Sequence, residues 1–275
     1  MSKPQPIMVV DLFPEILAAF IDLLCGLSTE DWDKPTACPC WSVKDVALHL
    51  LGDDVAMLSS GRDGHTPSVS THSWVELVAF INEWNEGWVR ATRRVSPRLL
   101  IDLLELTGTQ VCTYFQSLDP YAIAGPVSWA GPDPAPVWLD LAREYTERWH
   151  HQQHIRDAVD RPGLKEPQFF APVLDTFVRG LPYAFRETEA ADGTLVGLTI
   201  SGAAGGQWFL LRAGENWGLY INVQREPHAE VIVDEDAAWR IFTRGLSKDE
   251  ARGSVTVQGN QSLGLKVLDL VSIIA

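Results

Sequence analysis

The spacing of apolar residues changes near the middle of the chain, and this change limits the possible folds more than any other feature of the sequence. Up to residue 159 the apolar positions recur every three or four residues, which is typical of amphipathic helices. Beyond DRPGLKEPQ (160–168) they form short runs separated by glycines or charges, which is typical of strands. With 275 residues the chain can bury a core in each part. The sequence therefore predicts an all-α helix bundle over residues 1–160 and a small α+β domain over 167–275.

Local signals indicate where the elements begin and end. Ser42 has the position of a helix N-cap, with Asp45 three residues later, and Pro97 suits the first turn of another helix. The stretch DPYAIAGPVSWAGPDPAP is rich in proline and glycine and predicts a loop. The predicted helices cover about 11–27, 43–58, 74–95, 97–118, 137–159, 171–186 and 235–243, with a last one from Gln261. The predicted strands are TLVGLTIS, QWFLLRA, WGLYINV, AEVIVD and SVTVQG.

Charge and composition exclude several classes of protein. A formal net charge of −14 leaves no basic footprint for nucleic acid or an anionic membrane surface. No apolar run approaches the roughly 18–20 residues of a membrane span, and Asp11 interrupts the first residues before they could form the core of a signal peptide. Four cysteines in a chain of this length do not make a disulfide framework. We therefore expect a cytoplasmic monomer or homodimer that acts on small molecules.

Three of the seven histidines lie in the stretch ERWHHQQH (147–154) of the predicted helix 137–159. Residues four and seven apart share one face of a helix, which places Glu147, His151 and His154 together. His150 and His154 form a second pair at a spacing of four. Either set could offer two donors to one metal ion, and a further ligand is then expected from a facing helix.

His49 is the candidate for that further ligand. It lies among the apolar residues of DVALHLLGDD, which predicts that it is buried. A buried histidine is more often a hydrogen-bonded core residue than a ligand, but a facing histidine cluster favours ligation. Two histidines and one carboxylate leave coordination positions open, as in catalytic rather than structural zinc sites.

The segment LSTEDWDKPTACPCWSVKDVALHLLGDD resembles the start of the mycothiol-dependent maleylpyruvate isomerase family, whose members are related to the DinB-like four-helix bundles. The family pattern, D-W…P-T…C-P-G-W-S-V-x-D-V-x-x-H-L, is matched from Asp31 to Leu50. A second family motif, T-E-x-x-x-H-x-x-D, is matched at Thr146, Glu147 and His151. The resemblance implies that His49, Glu147 and His151 bind a divalent metal, usually zinc.

Two positions depart from the family pattern. Cys40 replaces the glycine of C-P-G-W, which alters a turn or places a thiol near the site. His154 replaces the aspartate of the second motif, so it is a candidate fourth ligand or a hydrogen-bond partner of the ligands. His150 with His154 also reproduces the H-x-x-x-H spacing of other DinB-like bundles, and His150 therefore remains an alternative ligand.

The second half resembles the sterol-carrier-like α+β domain that follows the bundle in this family. The family resemblance implies that the metal binds the sulfur of mycothiol or another small thiol. The resulting thiolate would attack a small electrophilic substrate, giving either S-transfer or cis–trans isomerisation. Arg212 and Arg225 are candidates to hold a substrate carboxylate, although both have the character of surface arginines. The alternative is a non-catalytic protein with a structural metal, which holds an apolar ligand in the interdomain cleft or in the α+β domain.

Overall fold

In the computed structural model, residues 1–65 and 73–273 are described, and they form two compact units. The first, here called the helical unit, contains Val9–Asp119 and Glu147–Leu164. The second, the sheet unit, contains Met1–Met8, Pro120–Thr146 and Lys165–Ile273. The predicted domains 1–160 and 167–275 include a few residues outside the described ones, and their boundaries stay a prediction.

The helical unit is built from long helices whose starts carry recognisable caps. Ser42 and Asp45 form a capping box, each side chain accepting a hydrogen bond from the other's backbone N–H, as the sequence predicted. Ser96 caps the helix that begins at Pro97. The helices are α1 (Phe13–Cys25), α2 (Val43–Ala56), α3 (Trp74–Thr92), α4 (Pro97–Gln116) and the second half of α5 (Val137–Val159), and a π-helical turn (Met57–Arg62) continues α2.

Helix α2 is largely buried and packs against α3 and α4, while α1 packs against α4. Side chains of α5 bind the backbone of α1: Gln152 donates to the carbonyl of Ile16 at 2.9 Å, and Arg156 to that of Ala19 at 3.2 Å. Arg148 of α5 donates to Asp54 of α2 at 3.0 Å. All five helices contribute to one apolar core, with members such as Leu24, Leu48, Val89, Leu104 and Ile155.

The sheet unit combines helices with a five-stranded sheet in its described part, ordered β3-β2-β1-β4-β5. Strands β1 and β4 are parallel, and the other neighbours are antiparallel. Helices α6 and α8 pack on each other and on the sheet. The elements are α6 (Pro167–Val178), α7 (Leu181–Ala184), β1 (Leu195–Ser201), β2 (Gly206–Ala213), β3 (Asn216–Tyr220), β4 (Ala229–Asp234), α8 (Glu235–Phe242), α9 (Lys248–Gly253), β5 (Val255–Gly259) and α10 (Gln261–Gly264).

Three details of the sheet unit differ from the sequence prediction. The single helix expected over 171–186 is two helices, because a turn at Arg179 and Gly180 separates α6 from α7. Strand β3 ends at Tyr220, and Asn222 soon after it has a φ of +57°, which is incompatible with an extended strand. Helix α9 was not predicted, although Ser247 and Glu250 form a capping box at its start.

Among the described residues, no helix is both long and apolar enough to cross a membrane.

Candidate metal centre

Helices α2 and α5 bring the predicted ligands together within the helical unit. His49 lies in the buried stretch of α2 and is 5% exposed. Glu147, His151 and His154 follow one face of α5, as their spacing predicted, and both histidines are buried. Because all these residues belong to one compact unit, the packing of α2 and α5 fixes the arrangement of their side chains.

Glu147 occupies the centre of a first group of donors. Its Oε1 lies 2.9 Å from Nε2 of His151 and 3.5 Å from Nε2 of His49. One donor atom from each of these three residues lies within 4.8 Å of the others, a spacing that could hold a metal ion. Asp53, one turn after His49, has its Oδ2 3.3 Å from Nε2 of His49.

A second group of donors contains a cysteine that the sequence reasoning did not place at the site. Sγ of Cys38 lies 3.0 Å from Nδ1 of His154 and 3.9 Å from Nδ1 of His151. One donor atom from each of these three residues lies within 4.8 Å of the others. The sequence had drawn attention to Cys40 as a thiol near the site, but Cys40 is exposed and has a left-handed φ of +67°.

The loop before α2 holds Cys38 in this position. The Oγ1 of Thr36 accepts a hydrogen bond from the backbone N–H of Cys38 at 3.2 Å and donates to the carbonyl of Trp41 at 2.9 Å. The backbone N–H groups of Thr36 and Trp41 also bond across the loop, to the carbonyls of Trp41 and Cys38 respectively. The C-P-x-W pattern marks this turn in the sequence, but it does not specify which distant residues the cysteine contacts.

His150 lies between its neighbours without joining either group. It is 4% exposed, and its ring centroid lies 4.3 Å from that of His151 and 4.5 Å from that of His154. Among the described residues, neither group of converging donors includes an atom of His150. The structure therefore gives His150 the surroundings of a buried ring packed against the donor histidines.

Burial and charge set the protonation states of these side chains. Burial lowers the pKa of His150 to about 3, assisted by His151, and lowers the pKa of His151 to about 4 against the opposing effect of Glu147. Burial raises the pKa of the Glu147 carboxyl, but the neighbouring histidines outweigh it and hold that pKa well below its usual value. At neutral pH, His151 is consequently uncharged and Glu147 ionised, which are the forms that bind metals.

The pKa values of His49 and Cys38 are both raised. Burial lowers the pKa of His49, but the carboxylates of Asp53 and Glu147 outweigh this effect and raise it above its usual value. Burial raises the pKa of the Cys38 thiol to about 11, so the sulfur carries its proton at neutral pH unless a cation replaces it.

The sequence of the helical unit matches a known family. A family described as the mycothiol maleylpyruvate isomerase N-terminal domain matches residues 13–156, just over half of the chain. This chain belongs to the mycothiol maleylpyruvate isomerase family. The prediction made from the two motifs is thereby confirmed, and the matched range includes both groups of donors.

Solved structures support the same fold. The chain is similar to the crystal structure of the mycothiol-dependent maleylpyruvate isomerase, with a TM-score of 0.54 and 12% sequence identity over 93% of this chain and 92% of that one. The structure of a mutant of that enzyme, with one histidine changed to alanine, matches with the same values. At this identity the likeness concerns the fold, and it agrees with a helical first part followed by a mixed sheet. No curated protein matches the sequence.

The two arginines proposed for substrate binding lie in the sheet unit, apart from the donors in sequence. Arg212 donates to the carbonyl of Glu215 at 2.5 Å, and Arg225 donates to the carbonyl of Gly193 at 2.6 Å. Each guanidinium group thus binds nearby backbone through one nitrogen, and a role in holding a substrate stays a prediction.

Proposed function

We propose that this member of the family is a metal-dependent enzyme that uses mycothiol or a similar small thiol for S-transfer or cis–trans isomerisation of a small electrophilic substrate. The observation that carries the proposal is the convergence of His49, Glu147 and His151 from two helices onto one point. The proposed metal is zinc, held by these three residues.

The chemistry of the donors fits such a metal. Two imidazole nitrogens and one carboxylate oxygen are ligands that zinc accepts, and three protein ligands leave a position open for a small molecule. The histidines are 5% and 7% exposed, whereas the Glu147 side chain is 28% exposed. The group therefore has a buried side made by imidazoles and a side that solvent or a small thiol can reach.

The chain's own residues hold and shield this site. Glu147 Oε1 can accept a hydrogen bond from either histidine, and the two rings lie edge to face with their centroids 4.6 Å apart. The Trp41 ring lies 5.1 Å from that of His49 and keeps water from one side of it. When bound, a divalent metal would supply the positive charge that keeps a thiol ionised at neutral pH.

The finer features of the fold and setting belong to the same proposal. We propose a DinB-like four-helix bundle for the helical unit, supported by the contacts of α5 with α1 and α2. We also propose a sterol-carrier-like sheet unit, and a cytoplasmic monomer or homodimer. A net charge of −14 supports small-molecule partners rather than nucleic acid.

The rival function, a binding protein for an apolar ligand, receives less support. The sheet unit has an open cavity of about 750 Å³ beside α7 and α10. Its lining includes several charged side chains, among them Arg186, Glu187, Glu189, Lys266 and Asp269. Apolar ligands are usually bound in pockets lined by hydrophobic and aromatic residues, so this cavity does not favour one.

The proposed ligands can be tested by metal analysis of purified variants. The wild type should retain about one divalent ion per chain, and His49→Ala or His151→Ala should lose it while keeping the helical circular dichroism. His150→Ala is the matched control: it removes an equally buried ring but should keep the ion. Loss of the ion in His150→Ala, with retention in His151→Ala, would instead support the pair formed by His150 and His154.

The proposed thiol chemistry needs a separate test. In cobalt-substituted protein, added mycothiol should change the visible d–d bands of the ion, and maleylpyruvate or a related electrophile should be turned over only when thiol is present. A cobalt spectrum that does not respond to the thiol, with no thiol-dependent turnover, would favour the binding protein with a structural metal.

A further inference from the structure

His151 presents its two ring nitrogens to different partners. Its Nε2 lies 2.9 Å from Oε1 of Glu147, within the first group of donors. Its Nδ1 lies 3.9 Å from Sγ of Cys38, which in turn lies 3.0 Å from Nδ1 of His154. The proposed function uses neither Cys38 nor His154, so this second group is unexplained by it.

We propose that Cys38, His151 and His154 form a second cation site, suited to an ion softer than zinc, such as Cd²⁺. Ligands at about 2.0–2.3 Å around one tetrahedral zinc lie roughly 3.3–3.6 Å apart, and those around the larger Cd²⁺ lie slightly further apart. The separations of 3.0 and 3.9 Å from the sulfur bracket that value. Small side-chain rotations are therefore enough to bring three donors onto one ion.

The hydrogen bond between His151 and Glu147 suits this second site. A histidine that binds a metal through one nitrogen usually donates the N–H of the other to a carboxylate or carbonyl, which fixes the orientation of the ring. With Nδ1 on the cation, Nε2–H of His151 would donate to Glu147 Oε1, already at 2.9 Å. On coordination, Sγ of Cys38 gives up its proton to solvent and binds as thiolate.

The two sites compete for one ring. A neutral imidazole has a single lone pair, so His151 can serve either the group with His49 and Glu147 or the group with Cys38 and His154. Softer ions favour the second group because thiolate is a soft ligand, whereas carboxylate favours harder ions. The identity of the cation therefore decides which set of ligands is used.

Cadmium provides the test, because thiolate ligation of Cd²⁺ produces an ultraviolet charge-transfer band that imidazole and carboxylate ligands do not. Full-length protein stripped with a chelator and titrated with Cd²⁺, without added thiol, should develop this band. Cys38→Ser and Cys38→Ala should abolish it, and His154→Ala should weaken cadmium binding at this band by at least about 10-fold. Cys40→Ser is the matched control, since that cysteine is two residues away and exposed, and it should retain the band.

Failure of this inference and failure of the proposed function give different results. His49→Ala should keep the charge-transfer band, because His49 belongs only to the first group. Cadmium bound by wild type without the band, or a band that survives in both Cys38 variants, overturns the second site and leaves the proposed function standing. A band that disappears in His49→Ala also overturns it, because the sulfur would then belong to the first site.

Discussion

Replacing Asp54 by asparagine should destabilise the helical unit by about 3 kcal/mol. Asp54 is 4% exposed and accepts hydrogen bonds from Arg148 at 3.0 Å and from the Thr107 hydroxyl at 2.9 Å. The Arg148 guanidinium also lies over the rings of Phe13 and Phe115. Asparagine keeps the shape of the side chain and removes its charge, so the substitution isolates the electrostatic part of this contact.

The magnitude follows from burial. Removing one member of a buried ion pair costs about 3–5 kcal/mol, because the remaining charge stays in surroundings of low dielectric. The Arg148 side chain is 13% exposed, and its contacts with two aromatic rings preserve about 0.5–2 kcal/mol of favourable interaction. The lower end of the range therefore applies. The double variant Asp54→Asn with Arg148→Met removes both charges and should recover most of the lost stability.

Equilibrium unfolding in urea, followed by far-ultraviolet circular dichroism, measures the effect. A loss of about 3 kcal/mol should lower the midpoint of the helical unit by on the order of 1–2 M urea. Lys34→Met is the control: Lys34 lies 2.7 Å from Asp31, closer than the buried pair, but is 44% exposed, and its loss should leave the midpoint unchanged. If Asp54→Asn shifts the midpoint no further than this control does, burial does not set the strength of the pair and the reasoning is wrong.

Three further predictions concern the cap of α2, the loop before it and the boundary between the domains. Ser42→Ala removes half of the capping box of α2 and should cost about 1 kcal/mol, measured by thermal unfolding, whereas an unchanged Tm would mean that the cap contributes nothing. Cys40→Gly relieves a left-handed φ of +67° but makes the unfolded chain more flexible, so Tm and metal content should hardly change, whereas Cys40→Val should lower Tm. A fragment of residues 1–160 should keep its metal but lose most catalysis. A protease should cut this fragment within residues 120–136, because the packing partners of that segment lie in the sheet unit. Full turnover by the fragment would show that the sheet unit is dispensable.

Much of the helical unit could be predicted from local sequence. The N-cap at Ser42 and the first turn at Pro97 are encoded within a few residues, and the structure begins both helices there. Helix spacing also placed Glu147 and His151 on one face of α5, and the apolar neighbours of His49 correctly predicted its burial. Caps depend on neighbouring residues, and helix faces and burial depend on periodicity. A single sequence contains both kinds of information.

The contacts of Cys38 could not be predicted in the same way. Its approach to His154 joins residues far apart in the chain, and it depends on how the loop at Thr36 turns back before α2. Periodicity carries no information about such a loop. The sheet unit also takes in residues 120–146, and no break in the helical pattern of α5 at Thr146 marks this limit in the sequence.

The bridge between Ser2 and Ile221 has a consequence for the order in which the protein is made. Backbone hydrogen bonds of 3.0 and 2.8 Å join these two residues, and Met1–Met8 belongs to the sheet unit. On the ribosome, Ser2 must therefore wait until Ile221 has been synthesised before its backbone finds this partner. The donors of both groups are all translated by residue 154, so the proposed cation sites can form before the last strands of the sheet unit are made.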